Sequence, residues 1–336
     1  MALVPQEGVG LRWFRSRENL PLITTIGVFI LLYLLAGWKF HGFFSTRVPL
    51  NLLSDNAFLG VVAVGLTFVI LSGGIDLSVG SMVGLSGILL AHLIAHLHWH
   101  PMLAMAAVLC VGIVIGTFHG ILVAKFGIAP FLATLGGLFF CRGAALWISQ
   151  ESIDIDHPFF KKLALFSILL PGAASVTVGT IVLVLAVAFG VWVGKHTLFG
   201  RTVLAIGGNK TSAGLMGLRV DSTLIRIYAV SGFCSALGGI LYAIYTSSGN
   251  AVSGTGMELD AIAAVVIGGT LLSGGYGSVL GSFIGTLILG IIQTAISYQG
   301  TLSSWWTKIA IGALLLIFML LQRGLVRLTS RGTGSG

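Results

Sequence analysis

Several residues in this chain are of the types and spacings that do chemistry. Gly84-Leu85-Ser86-Gly87 is a GxSG pattern, in which a serine held among apolar helices acts as a nucleophile once a histidine takes its proton. His119 is the one histidine deep in a neighbouring apolar run, but with 48 glycines in the chain a GxSG also arises by chance. His92 and His96 lie four apart on one helical face, a geometry that can chelate zinc. With His98, Trp99 and His100 they equally form the polar and aromatic belt found where a helix leaves a membrane. Asp76 stands in a Gly-Ser break between two apolar runs, where an ionisable group is costly and therefore a functional candidate. Its carboxylate could bond a polyhydroxylated solute or cap the helix that begins near Ser78. Asp55, Asn56, Glu258 and Asp260 mark the outer entrances of two interrupted runs, and Gln293 is a further polar candidate. Such a set suits a neutral sugar or a cation. Arg142, late in its apolar run, could reach outward or pair with Glu151.

Two phosphate-binding readings fail on spacing. Gly207-Gly208-Asn209-Lys210-Thr211-Ser212 lacks the glycine directly before lysine that a phosphate loop requires, and no strand precedes it. The LSGG tetrads at 71–74 and 272–275 match the opening of an ATPase signature, but without a phosphate loop they carry no ATP chemistry. Cys110, Cys141 and Cys234 all fall in apolar runs with no CxxC spacing, as buried thiols rather than a disulfide framework or metal set. No catalytic residue and no metal ligand set is expected.

The elements that hold these residues follow from composition. Of 336 residues 56% are hydrophobic and 8% charged, far below the ~25% that a soluble domain needs on its surface. Apolar runs near the ~20 residues that cross a bilayer recur almost end to end. They predict an all-α, multi-pass membrane protein of about ten spans, at 20–38, 57–72, 79–97, 102–124, 128–148, 173–194, 226–248, 259–272, 279–298 and 305–322. With the N-terminus in the cytoplasm, twelve Lys and Arg fall inside, four outside, and Arg142 and Lys308 within spans. That is the asymmetry of the positive-inside rule, and it leaves both ends cytoplasmic. The division is a 1–19 extension, a single transmembrane domain over 20–325 and a 326–336 tail. The net charge of +8 thus sorts loops across a membrane and is not a nucleic-acid surface.

Two spans are interrupted. LSGGIDLSVGS (71–81) and LSGGYGSVLGS (272–282) share six of eleven residues. Gly-interrupted segments at corresponding places in two halves point to a translocation path, with Ser273 in the second; Ser78 and Ser278 also suit plain helix caps. The longest polar stretch, 195–226, has Lys210–Met216 as a short helix ending at Gly217. Its Ala213, Leu215, Met216 and Leu218 are apolar residues outside the bilayer, to be covered by a partner or laid on lipid headgroups.

The stretches 55–81, GRTVLAIGGNKTSAGLMGLRV (200–220) and VVIGGTLLSGGYGSVLGS (265–282) resemble permease subunits of bacterial ribose/xylose/arabinose-type ABC sugar importers, over about residues 20 to 325. EL-DAIA near 258–263, QESIDIDHP (150–158) and GTLSSWWTKIAIG (300–312) bring the resemblance nearest to the galactofuranose-importer permease. It implies a bacterial inner-membrane subunit that pairs with a second, distinct permease. It implies no cofactor in this chain, ATP and Mg being bound by a partner ATPase. Gly207, Gly208, Asn209, Ala213, Leu215, Met216 and Gly217 would belong to the coupling helix that docks on that ATPase. Outer loops including Glu151–His157 would receive a periplasmic sugar-binding protein, and the breaks around Asp76 and Ser273 would line the path. A stand-alone carrier or channel is the alternative, and it would have no use for an apolar docking helix.

Overall fold

The computed structural model describes residues 20–170, 174–300 and 305–331, and these are mostly helical. The extension 1–19, with Arg12, Arg15 and Arg17, and the GTGSG end of the tail lie outside the described residues. The helices are α1 Leu20–Lys39, α2 Arg47–Asp55, α3 Ala57–Leu71, α4 Val79–Ala95, α5 Pro101–Ala124, α6 Pro130–Ile148, α7 Pro158–Leu165 and α8 Val178–His196. They continue with α9 Leu198–Gly208, α10 Lys210–Leu215, α11 Val220–Thr246, α12 Met257–Ile267, α13 Val279–Gln299 and α14 Trp305–Arg331.

Span limits follow local chemistry. Pro101 and Pro130 open α5 and α6 at the first turn, where a missing N–H costs nothing. The Thr177 hydroxyl caps α8 by accepting from the Thr180 N–H. α11 begins at Val220, six residues before the expected 226, with Asp221 in its first turn facing the positive end of the helix dipole.

Among the described residues six helices are long and apolar enough to cross a membrane, α1, α5, α6, α8, α11 and α13. A seventh span arises if α2 and α3, bent by 58° at Asn56, are one. The shortfall against the expected ten lies at the breaks. α4 has 17 residues because 72–78 before it are not helical. α12 has 11 residues, about 16 Å, roughly half of the ~30 Å hydrocarbon core. The apolar part of α14 is Trp305–Phe318.

α3 is apolar all round, with every residue except Phe58 buried, which places it at the centre of the bundle. α11 packs beside it and also against α4 and α5. Gly112, Gly116 and Gly120 put three glycines on one face of α5. That face meets Gly232, the Tyr228 carbonyl and the backbone of Ile225 on α11, where a Cβ would strike the facing main chain. Large apolar side chains such as Leu34, Phe139, Trp147, Leu185 and Leu316 are exposed on the outer helices, as expected of a surface that faces lipid.

Short strands tie the loops at one end. β1 (Ile153–Asp154) pairs antiparallel with β4 (Ser248–Gly249), Ile153 opposite Gly249. β2 (Ser167–Leu170) and β3 (Ala174–Thr177) form a hairpin. The opposite end gathers the close of α5, the start of α11, α9, α10 and both Gly-Ser breaks.

Candidate functional site

The first break runs without regular structure from Gly74 to Ser78 and passes between α6 and α11. Asp76 is buried there, and its hydrogen bonds decide what it does. Oδ1 accepts from the Ser78 N–H at 2.9 Å and from the Ser78 hydroxyl at 2.6 Å, while Oδ2 accepts from the Ser231 hydroxyl at 2.7 Å. The carboxylate thus turns the chain into α4 and fastens it to α11, eleven residues or about 16 Å from the start of that helix. Thr134 on α6 holds the other side of the break, donating to the Ile75 and Pro130 carbonyls. The expected capping by Ser78 is not formed: its hydroxyl is engaged by Asp76, and the acid does the capping.

Polar groups around Asp76 extend this cluster. The Ser81 hydroxyl donates to the Ser78 carbonyl at 2.8 Å. The ring of buried His119 rests on Gly137 of α6. Among the described residues neither His119 Nδ1 nor the Tyr228 hydroxyl has a hydrogen-bond partner. Tyr228, Ser231 and Ser235 fall on one face of α11 at spacings of three and four. Ser86 faces Gly239 of α11, so the serine and histidine of the nucleophile reading look to different helices.

A second unwound segment, 249–256, lies along α4. Gly249 rests on the Gly87 carbonyl and Gly254 on the Gly80 carbonyl, approaches that only glycine permits. Arg142 neither extends outward nor pairs with Glu151. Its Nη1 donates to the Ala251 carbonyl and, at 3.0 Å, to the Ser253 carbonyl, which pins this segment to α6. Glu258 packs against Gly80, so the first turns of α4 and α12 face each other. The positive ends of two helix dipoles therefore converge beside an acid and unwound backbone.

At the other end three glycine-rich segments meet main chain to main chain. Gly73 lies against the Ser273 carbonyl and Gly274 against Gly73. The Gly275 N–H donates to the Leu71 carbonyl at 2.9 Å. Gly207 fits between the Leu71 carbonyl and the Gly275 nitrogen, where no Cβ has room. Gly207 and Gly208 close an eleven-residue helix, α9, in what the sequence offered only as polar loop. The Asn209 side chain then caps α10, accepting from the Ser212 N–H at 2.8 Å. Gly217, at φ +79°, ends α10, and the Leu218 N–H returns to the Ala213 carbonyl. Ala213 is fully buried against the bundle and Leu218 is half-buried, so the exposed apolar face shrinks to Leu215 and Met216, at 85% and 68% exposure.

The remaining candidates are dispersed. Asp55 is exposed and receives the Tyr245 hydroxyl at 3.4 Å. Asn56 is buried at the α2–α3 bend, donating to the Leu52 carbonyl beside Gly290 of α13; Gln293 stands half-buried one turn on. Asp260 pairs with Lys308 of α14 at 2.6 Å, and Ser273 is exposed. At the start of α7 the Lys161 ammonium, 2.7 Å from Asp156, holds that carboxyl below its ordinary range. The His92 and His96 rings are 5.2 Å apart, and no group of three His, Cys, Asp or Glu is poised around a metal among the described residues. Cys141 and Cys234 are buried thiols, whereas Cys110 is exposed.

Comparison with known proteins adds the family. The profile described as "Branched-chain amino acid transport system / permease component" matches residues 48–319. The inner membrane ABC transporter permease protein YjfF of Escherichia coli (strain K12) is 52% identical over 92% of this chain and 93% of its own length. The fructose import permease protein FruG of Bifidobacterium longum is 36% identical over 96% and 95%. The ribose import permease protein RbsC of E. coli (strain K12) is 33% identical over 93% and 97%. No solved structure matches the chain.

Proposed function

The chain belongs to the branched-chain amino acid transport system / permease component family, and from that premise we propose that it is half of the translocation path of an ATP-driven sugar importer. A permease component is a transporter subunit and not an enzyme. The importer sits in the bacterial inner membrane, and this subunit crosses it ten times with both ends in the cytoplasm. The three further crossings are α4, α12 and α14, each completed by unwound or less apolar chain; the excess of Lys and Arg at the α9–α10 end supports the orientation.

The substrate is a monosaccharide, supported by relatives whose names state ribose and fructose import. Galactofuranose is the specific sugar, resting on the 150–158, 258–263 and 300–312 stretches. The partners are an ATPase subunit, which binds ATP and Mg, a second and distinct permease, and a periplasmic sugar-binding protein received by the β1–β4 end. The path runs along the two unwound segments, 72–78 and 249–256, with Asp76, Ser78 and Glu258 its central polar groups.

The observation that carries this reading is the three-way contact of Gly207 with Leu71 and Gly275. Whatever moves α10 presses, through the end of α9, on both breaks at once. Leu215 and Met216 project from α10 at the far side, an apolar foot for the ATPase. ATP-driven closure of the ATPase pair draws two such feet together and shifts the breaks, and hydrolysis restores them. Replacing Leu215 and Met216 by Asp is expected to abolish co-purification of the ATPase while the spans stay inserted. Undiminished association of that double variant removes the docking assignment. Transport by the chain alone, without an ATPase, replaces the reading by a carrier or channel.

A further inference from the structure

A cavity of about 720 Å³ forms a crevice between α3, α8 and α11, backing onto the helix that carries Ser231. Val64 and Phe68 of the central helix form its floor, and Phe189 and Phe233 stand on its two walls. The lining is apolar along most of its length, with Thr197 and Arg226 as its polar side chains. Arg226 is exposed and forms no ion pair among the described residues. It belongs to the end of the bundle that gathers Lys195, Arg201, Lys210 and Arg219.

Depth and charge select the occupant. Along α11 the crevice runs from Arg226 to Leu237, about 16 Å, which is the depth of one leaflet of a ~30 Å hydrocarbon core. Its apolar walls suit acyl chains, and the cation lies at the depth of the headgroups, where basic residues between helices bind anionic lipid. We propose that this crevice is a binding site for one anionic phospholipid of the cytoplasmic leaflet, its acyl chains over Val64 and Phe68 and its phosphate on Arg226. The site takes its leaflet from the orientation proposed above. Because α3 ends at Leu71, which touches Gly207, the lipid lies on the helix that carries the first break.

The test uses the full chain, purified with whatever it assembles with and placed in nanodiscs of equal phosphatidylglycerol and phosphatidylcholine. Lipid that stays bound through gentle release into the gas phase is identified by native mass spectrometry. Phosphatidylglycerol is expected to exceed phosphatidylcholine by about fivefold, the effect of one cation near a headgroup. Arg226→Gln is expected to bring that ratio to about one. Val230→Trp, which fills the crevice from α11, is expected to lower both lipids together while the variant keeps its helical circular dichroism. Equal retention of the two lipids by the unaltered chain, or an unchanged ratio in Arg226→Gln, overturns the site. So does efficient cross-linking of Phe189→Cys to another polypeptide, which gives the crevice to a subunit. ATPase co-purification is recorded on the same samples: its loss in the unaltered chain counts against the importer reading and leaves the lipid result standing.

Discussion

The two Gly-Ser breaks have nearly the same letters and are built differently. In 71–81 an acid follows the glycines, and Asp76 takes Ser78 and Ser231 as partners. The chain is thereby tied in mid-bundle to α11, and α4 starts where the acid puts it. In 272–282 Tyr276 and Gly277 stand in that region, with no acid. Gly274, Gly275 and Gly277 all take positive φ, and Ser278 makes an ordinary cap, accepting from the Gly281 N–H at 3.1 Å. One break is an anchored joint, the other a glycine hinge, and Gly207 presses on both. Similar composition predicts where a helix stops; a single carboxylate decides whether the stop is fixed by a side chain or only through main-chain contacts.

The largest effect is expected where the two breaks share a contact. Gly207→Leu drives a side chain into the Leu71 carbonyl and the Gly275 nitrogen, and sugar uptake into vesicles should fall to background. Undiminished uptake would separate the breaks from the coupling end. Asp76→Asn keeps the shape and loses the charge, so uptake should drop strongly while the complex still assembles; normal uptake would remove the carboxylate from the working joint. Thermal unfolding then sets the two breaks side by side. Ser231→Ala leaves a buried Asp76 oxygen without its partner, roughly 1–3 kcal/mol. Ser278→Ala loses a helix cap, about 1 kcal/mol. Equal shifts in midpoint would erase the distinction between joint and hinge. The smallest effect belongs to Ser273→Ala, an exposed side chain expected to stay within about 0.5 kcal/mol of the unaltered protein.

Much of this was legible because it is local. The breaks and the short helix stopped by Gly217 depend on residues a few positions apart. The site depends on distant pairs. Asp76 finds Ser231 across 155 residues, and Arg142 finds Ala251 and Ser253 across 109 and 111. Nothing in the neighbourhood of Arg142 names a carbonyl as its partner, which is why outward reach or Glu151 stood as the expectation. A usable signal did exist on α11, where Tyr228, Ser231 and Ser235 repeat at helical spacing inside an apolar run. Ala213 misled for a different reason: burial on a six-residue helix depends on how that helix is set against the bundle, and composition does not carry orientation.

The central claim is that the two breaks move against each other as sugar passes. It is tested most directly by joining Ser72→Cys to Ser273→Cys with a short bis-maleimide in a Cys110→Ser background and measuring uptake with the complete importer. The account predicts that uptake stops when the short linker is in place and continues when a long flexible linker replaces it. Uptake that proceeds with the short linker fully reacted would contradict it.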